Sequence, residues 1–259
     1  MIQRKYDRNV PAALPAHRML SRVSAALPPV VDLREWCGPV KDQGSEGSCT
    51  AHAGTSAVEL IFRKYLGKSP IFSPQYTYAK ELIAQGDFPT DDGSDGVTLC
   101  GTLIASGCCE LDLFPYVPGQ ITEPTPDQDA NAAEYRMGAY HGLTTSAVAL
   151  SVLGDPTPWP VEIGFTVYES FESDETAETG VISIPKSGER VLGGHEMVVV
   201  GYDIGATATL RPASSLPSVL IQNSWSTDWG IDGFAWMPLP ILDAQDTDLK
   251  IVHAGHPWG

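Results

Sequence analysis

Basic side chains are scarce: 16 Lys and Arg stand against 32 Asp and Glu in 259 residues, a net charge of −16. So acidic a chain repels a phosphate backbone, which argues against a nucleic-acid partner. Long apolar runs are missing. None approaches the roughly 20 residues that cross a bilayer, so no membrane-spanning segment is expected. A continuous apolar segment of about 7–15 residues is also missing near the N-terminus, where Arg18, Arg22 and several prolines interrupt it. No secretory signal is read there, and the expectation is a cytoplasmic or non-classically exported protein. The five cysteines, at 37, 49, 100, 108 and 109, lack the paired C-x-x-C spacing of a zinc site. No metal or cofactor is expected. If Cys49 stays a free thiol, four cysteines remain, with three pairings open and bridges from Cys108 or Cys109 to Cys37 or Cys100 favoured. Reduced thiols are the alternative.

What is present is an apolar share of 42%, ordinary for a globular chain and ample for a large core at this length. The charge is uneven. Residues 1–29 hold Arg4, Lys5, Arg8, Arg18 and Arg22 against Asp7 alone, a net +4 that leaves −20 on the rest. This Pro/Ala-rich arm precedes a body over 30–259. Helices are expected over Cys49–Leu66, Pro74–Gln85 and about Thr98–Ser106. Val58, Ile61, Phe62 and Tyr65 fall at helical spacing, Ser48 is a good N-cap type, and Gly67 and Gly107 are plausible stops. Val117–Asn131, with Pro118, Gly119, Pro124 and Pro126, reads as a loop crossing between a helical lobe (about 30–117) and a β-rich lobe (132–259). Strands are expected over Val161–Tyr168, Glu196–Tyr202 and Val219–Gln222, with 172–190 and 205–218 as connections.

Four segments carry chemistry. Gln43-Gly44-Ser45-Glu46-Gly47-Ser48-Cys49 places a thiol at the start of a helix. The partial positive charge there favours thiolate, the nucleophilic form. First-turn N–H groups lack helical acceptors, and Gln43 offers a second donor to an oxyanion. In Gly193-Gly194-His195-Glu196, a histidine heads an apolar strand and supplies a general base and acid. In Asn223-Ser224-Trp225, an amide orients that imidazole while Trp225 shields the bond from water. Asp95-Gly96-Val97 offers an open backbone edge to a substrate strand. His52 is a rival base, but a helix turns it back into its own lobe, where a satisfied buried histidine is expected. His253 and His256 fall in a terminal tail with no role expected.

In their order Gln, Cys, His, Asn, with His195 146 residues after Cys49 and Asn223 another 28 on, these blocks resemble the papain-like cysteine peptidases. The resemblance covers about Asp32 to Met237. It implies an α+β, two-lobe fold with a cleft between a helical N-terminal lobe bearing Cys49 and Gln43 and a β-rich lobe bearing His195 and Asn223. It also implies that Gly96 pairs with substrate backbone and that Gly164 and Glu196 line the second subsite, with Trp225 beside them. A free carboxylate at Glu196 would favour Lys or Arg there. Glu46 stands where the family pattern has a bridged cysteine, and Thr50 and His52 replace common aromatics, as in divergent, prokaryotic-type members. The arm matches no helical propeptide motif. The expected function is a cysteine endopeptidase acting on protein or peptide substrates. The alternatives are thioester-based acyl transfer and a catalytically silent peptide binder. The arm is expected to act as a short propeptide in its own cleft, against a loose tail or a strap on the far side of a lobe.

Overall fold

The computed structural model describes residues 19–253, apart from 25, 245 and 246. Two short strands, β1 (Met19–Leu20) and β2 (Val30–Asp32), precede four helices: α1 (Cys49–Leu66), α2 (Pro74–Gln85), α3 (Gly96–Ala105) and α4 (Pro126–Ala132). Then follow β3 (Ala139–Leu143), α5 (Ser146–Leu153), β4 (Val161–Tyr168), α6 (Asp174–Thr179), β5 (Val191–Asp203), β6 (Ser218–Gln222), β7 (Phe234–Pro238), α7 (Leu239–Leu242) and β8 (Asp248–His253). The strands form one sheet in the order β1-β3-β8-β4-β5-β6-β7, with β2 also on β5. Its pairings are antiparallel except β1 with β3, which makes the fold α+β.

Helix α1 joins the two halves. Ala53, Ala57 and Leu60 pack into the core of the sheet, and Val58, Ile61 and Phe62 pack with Phe72, Leu99 and Leu103 of the helical half. Spacings of three and four put each set on its own face, and a helix apolar on both faces must be buried between two layers. Gly67 ends α1 in the left-handed conformation at φ 61°. Ser48 sits at the N-cap but makes no cap bond. Its hydroxyl instead meets Tyr116 Oη at 2.9 Å and His52 Nδ1 at 3.3 Å.

Several boundaries differ from the sequence expectation. Helix α3 begins at Gly96, two residues early, because Asp95 accepts the Val97 and Thr98 N–H groups. The Gly96 edge is therefore a buried first helical residue, not an open extended strand. The 117–131 stretch holds all but the last residue of α4, since Thr125 and Gln128 form a capping box with Pro126 at the first helical position. Strand β5 starts at Val191, so His195 lies inside a 13-residue strand and does not head it. Helix α6 falls within 172–190, and α5 falls in a half read as strands.

All five cysteines are free, so the favoured bridges do not form. Cys100 and Cys108 are buried in the helical-half core, and Cys109 is buried beside Tyr76 and Phe114. Among the described residues no helix is long and apolar enough to cross a membrane. The described end of the arm is built into the sheet: β1 pairs with Gly142 and Leu143, and the Ser24 N–H donates to Ser151 Oγ at 2.8 Å. Leu27 packs on the sheet core, and the Ile204 N–H donates to Pro29 O at 2.9 Å. Residues 1–18 and His256 lie outside the described residues, and His253 closes β8 opposite Ala139.

Candidate active site

Cys49 is the first residue of α1 and is 1% exposed. The loop before it is stitched to the segment after β6. The Gln43 N–H donates to Ser224 O at 2.9 Å, and Ser224 Oγ donates to Gln43 Oε1 at 2.6 Å. The Ser226 N–H donates to Lys41 O at 3.1 Å. Ser224 also donates its N–H to Asn223 Oδ1 at 2.8 Å, and the same oxygen lies 2.8 Å from His195 Nε2. A carbonyl oxygen can only accept, so His195 carries its proton on Nε2 and presents the Nδ1 lone pair. Gln43, Ser224, Asn223 and His195 thus form one continuous relay. Gln43 Nε2 donates one N–H to Glu46 O at 3.0 Å and has a second to offer. Ser224 escapes a sequence reading that looks only at the amide beside it, although it stands next to that amide.

The His195–Asn223 bond lies in an aromatic box. Trp225 stacks on the imidazole at 4.9 Å and 28°. Phe165 and Phe171 present their edges at 6.2 Å, and Trp229 closes on Trp225 at 5.4 Å. Asn223 is 4% exposed and Trp225 2%. Trp225 therefore covers the bond and presents no open wall to a ligand. Excluding water strengthens the bond and holds the ring in one orientation.

His52 turns away from this relay. Burial pushes it down to about 3, against the hydrogen bond that its Nδ1–H donates to Ser48 O at 2.9 Å. It is neutral at ordinary pH and tied to its own helix.

Next to Gly96 lies a buried charge cluster that no local sequence signal announces. Lys250 Nζ is 3.2 Å from Glu196 Oε1 and 2.5 Å from Asp248 Oδ2. The Glu196 and Lys250 side chains are both wholly buried. In register, Gly164 faces Glu196 on one side and Asp248 on the other, while Glu162 faces Lys250. Glu162 is raised to about 8, by burial first and the Glu196 charge second, with Lys250 opposing. A Cβ on Gly96 would collide with the end of the Lys250 side chain, so a larger residue there would have to displace Lys250 from its buried place. Glu196 is thus an ion-paired interior group, and the preference for Lys or Arg expected from a free carboxylate loses its basis. Among the described residues no group of three or more His, Cys, Asp or Glu is placed to hold a metal ion.

A family model described as papain family cysteine protease matches residues 27–240. An uncharacterized peptidase C1-like protein of Acanthamoeba polyphaga mimivirus is 26% identical over 206 residues, 76% of this chain and 63% of that protein. The oryzain gamma chain of Oryza sativa subsp. japonica is 27% identical over 231 residues, 86% of this chain and 58% of that one. The chain thus spans less than two thirds of either relative. Xylellain, a cysteine protease from Xylella fastidiosa, shares the fold with a TM-score of 0.81 at 24% identity, over 97% of each chain.

Proposed function

Because this chain belongs to the papain family of cysteine proteases, we propose that it is an endopeptidase hydrolysing peptide bonds through a thioester on Cys49. The observation that carries this reading is the relay from His195 through Asn223 and Ser224 to Gln43, which ties the loop before Cys49 to the strand bearing the imidazole. In the proposed cycle His195 Nδ1 takes the Cys49 proton, and the thiolate attacks the scissile carbonyl carbon. The imidazolium then returns the proton to the leaving amine, and water resolves the thioester with His195 as base. Gln43 Nε2 and the first-turn N–H groups of α1 stabilise the oxyanion. Gly96 is proposed to pair with the substrate backbone and Gly164 to border the second subsite, over a floor of Glu196 paired with Lys250.

Cys49→Ser should abolish cleavage, and His195→Ala should nearly do so. Gln43→Ala should lose about 10²–10³ in turnover while iodoacetamide still labels Cys49. Wild-type cleavage by Cys49→Ser would sink the assignment. Acyl transfer would announce itself as an amine adduct in product analysis with an added amine. A silent relative would leave Cys49 unlabelled by a thiol-alkylating probe.

The arm enters the same proposal. A basic, Pro/Ala-rich sequence favours extended forms and is attracted to an acidic body, and an extended strand is the form a peptidase cleft accepts. Residues 1–18 are proposed to cover the cleft, while 19–29 serve as the strap along β3 and α5.

A further inference from the structure

The loop that carries Gln43 and leads into Cys49 is gripped from a second side, by residues 116–119. The Tyr116 hydroxyl donates to Gln43 O at 2.9 Å and lies 2.9 Å from Ser48 Oγ, so one side chain touches both ends of the loop. Between those ends, the Glu46 carboxylate accepts the Gly119 N–H at 2.8 Å and the Gln75 amide at 3.2 Å on each oxygen. Gln75 in turn accepts the Val117 N–H at 3.2 Å, so its amide relays the same grip. Glu46, Ser48 and Gln75 are at most 1% exposed. A carboxylate this deep persists only with its donors in place, so the contacts are mutually required. On its other side, the Gly47 N–H donates to Asp91 Oδ1 at 3.0 Å.

The relay through Ser224 fixes where Gln43 begins, but it does not set the height of residues 44–48. That height decides whether Gln43 Nε2 and the first N–H groups of α1 converge on one point. Gln43 Nε2 spends one N–H on Glu46 O, so moving Glu46 re-aims the other. Oxyanion donors act through position, with a useful range of a few tenths of an ångström.

We propose that Tyr116 and Glu46 are positioning residues of the oxyanion site, clamping residues 43–48 so that the second Gln43 N–H is aimed at the point the α1 N-terminus already defines. The inference rests on the proposed role of Gln43. Neither residue touches substrate; both act through the backbone they hold.

The test is a double-mutant cycle on the full chain, crossing Tyr116→Phe with Gln43→Ala. Three quantities are read: kcat on a peptide amide, the inhibition constant of a peptide aldehyde, and the rate of Cys49 alkylation by iodoacetamide. The aldehyde adds Cys49 to its carbonyl and leaves a tetrahedral oxygen in the oxyanion position. Iodoacetamide makes no oxyanion, so it reports the Cys49–His195 pair alone. Tyr116→Phe should lower kcat about tenfold, the scale of one lost hydrogen bond, and weaken the aldehyde by the same factor. KM and the alkylation rate should stay at wild type. In the Gln43→Ala background, Tyr116→Phe should change neither kcat nor aldehyde binding further. Glu46→Gln, whose amide can still accept the Gly119 N–H but turns its own N–H groups against the Gln75 amide, should repeat the pattern. If Tyr116→Phe lowers kcat by the same factor in both backgrounds, or leaves the aldehyde unaffected, the clamp is overturned and the role of Gln43 survives. If Gln43→Ala alone turns over like wild type, the oxyanion reading fails, and the clamp fails with it.

Discussion

A side chain's type mattered less here than the groups that meet it. Glu162, Glu196 and Asp248 share one cation, Lys250, and Glu162 is left neutral over most of the ordinary pH range because burial raises it to about 8. Its Oε2 accepts the Cys100 thiol at 3.6 Å, which suits a carboxylate or a carboxylic acid alike. In the unfolded chain the same carboxyl ionises near its ordinary 4.5. The folded form therefore holds a proton that the unfolded form gives up between pH 4.5 and 8. Stability from this group falls as pH rises through that window and is flat above it. Glu162→Gln removes the titration. Its stability relative to wild type should climb between pH 5 and 8, by up to a few kcal/mol, as read from urea midpoints at each pH. A constant difference across that range would mean that Glu162 is ionised in the fold. Glu196→Gln differs in kind: it strips Lys250 of a partner, and breaking a buried pair costs about 3–5 kcal/mol.

At the scale of elements, α1 is held in register by charge as well as by packing. Glu59, buried in its middle, is 2.8 Å from Lys41 Nζ and accepts the Phe72 N–H at 2.8 Å. Lys41 lies two residues before Gln43, so this pair links the centre of the helix to the loop that feeds its N-terminus. Room for the carboxylate comes from Gly38, where any Cβ would run into Glu59. Gly38→Ala should push Glu59 off Lys41 and destabilise the fold by about 1–3 kcal/mol. The loss should show as a lower denaturation midpoint with an unchanged slope. Should the midpoint match wild type, the Gly38 backbone has moved away at little cost, and the link to the loop is looser than the distances imply.

Over the whole molecule the dominant quantity is charge: a net +4 on residues 1–29 against −20 on the rest. The strap of residues 19–29 completes the sheet edge and its core, so deleting it would remove the Leu27 and Ser24 contacts along with any cover on the cleft. The clean variant lacks residues 1–18 alone, which carry Arg4, Lys5, Arg8 and Arg18 against Asp7. If those residues cover the cleft, this variant should have a lower KM and a faster Cys49 alkylation than the full chain. Raising salt should move the full chain toward the variant, because screening shortens the reach of the attraction to about a Debye length. Equal kinetics for both chains at every salt concentration would show that residues 1–18 inhibit nothing.

Gln43, Cys49, His195 and Asn223 stand out in the sequence because each sits in a short block whose chemistry is local. A thiol after a glycine-containing loop at a helix start, a histidine behind two glycines, and an amide before a tryptophan each make sense within a few residues. The long helices α1 and α2 were legible for the same reason, since helical bonds and apolar spacing are set within a few residues of each other. What escaped depends on partners far along the chain. The strands β1 and β2 carry too few residues to show a period, β3 and β7 lack β-branched residues, the apolar residues of β8 are interrupted by Lys250, and all five exist through their neighbours in the sheet. The serine that completes the relay is joined to Gln43 across 181 residues, and Tyr116 grips the same Gln43 backbone across 73. The charge of Glu196 looked available for selectivity until the fold brought Lys250 against it. Composition and local motif determined which groups this protein has for its chemistry. Tertiary structure alone decided which of them are charged, which are aimed and which are covered, because burial and distance are properties of the packed chain.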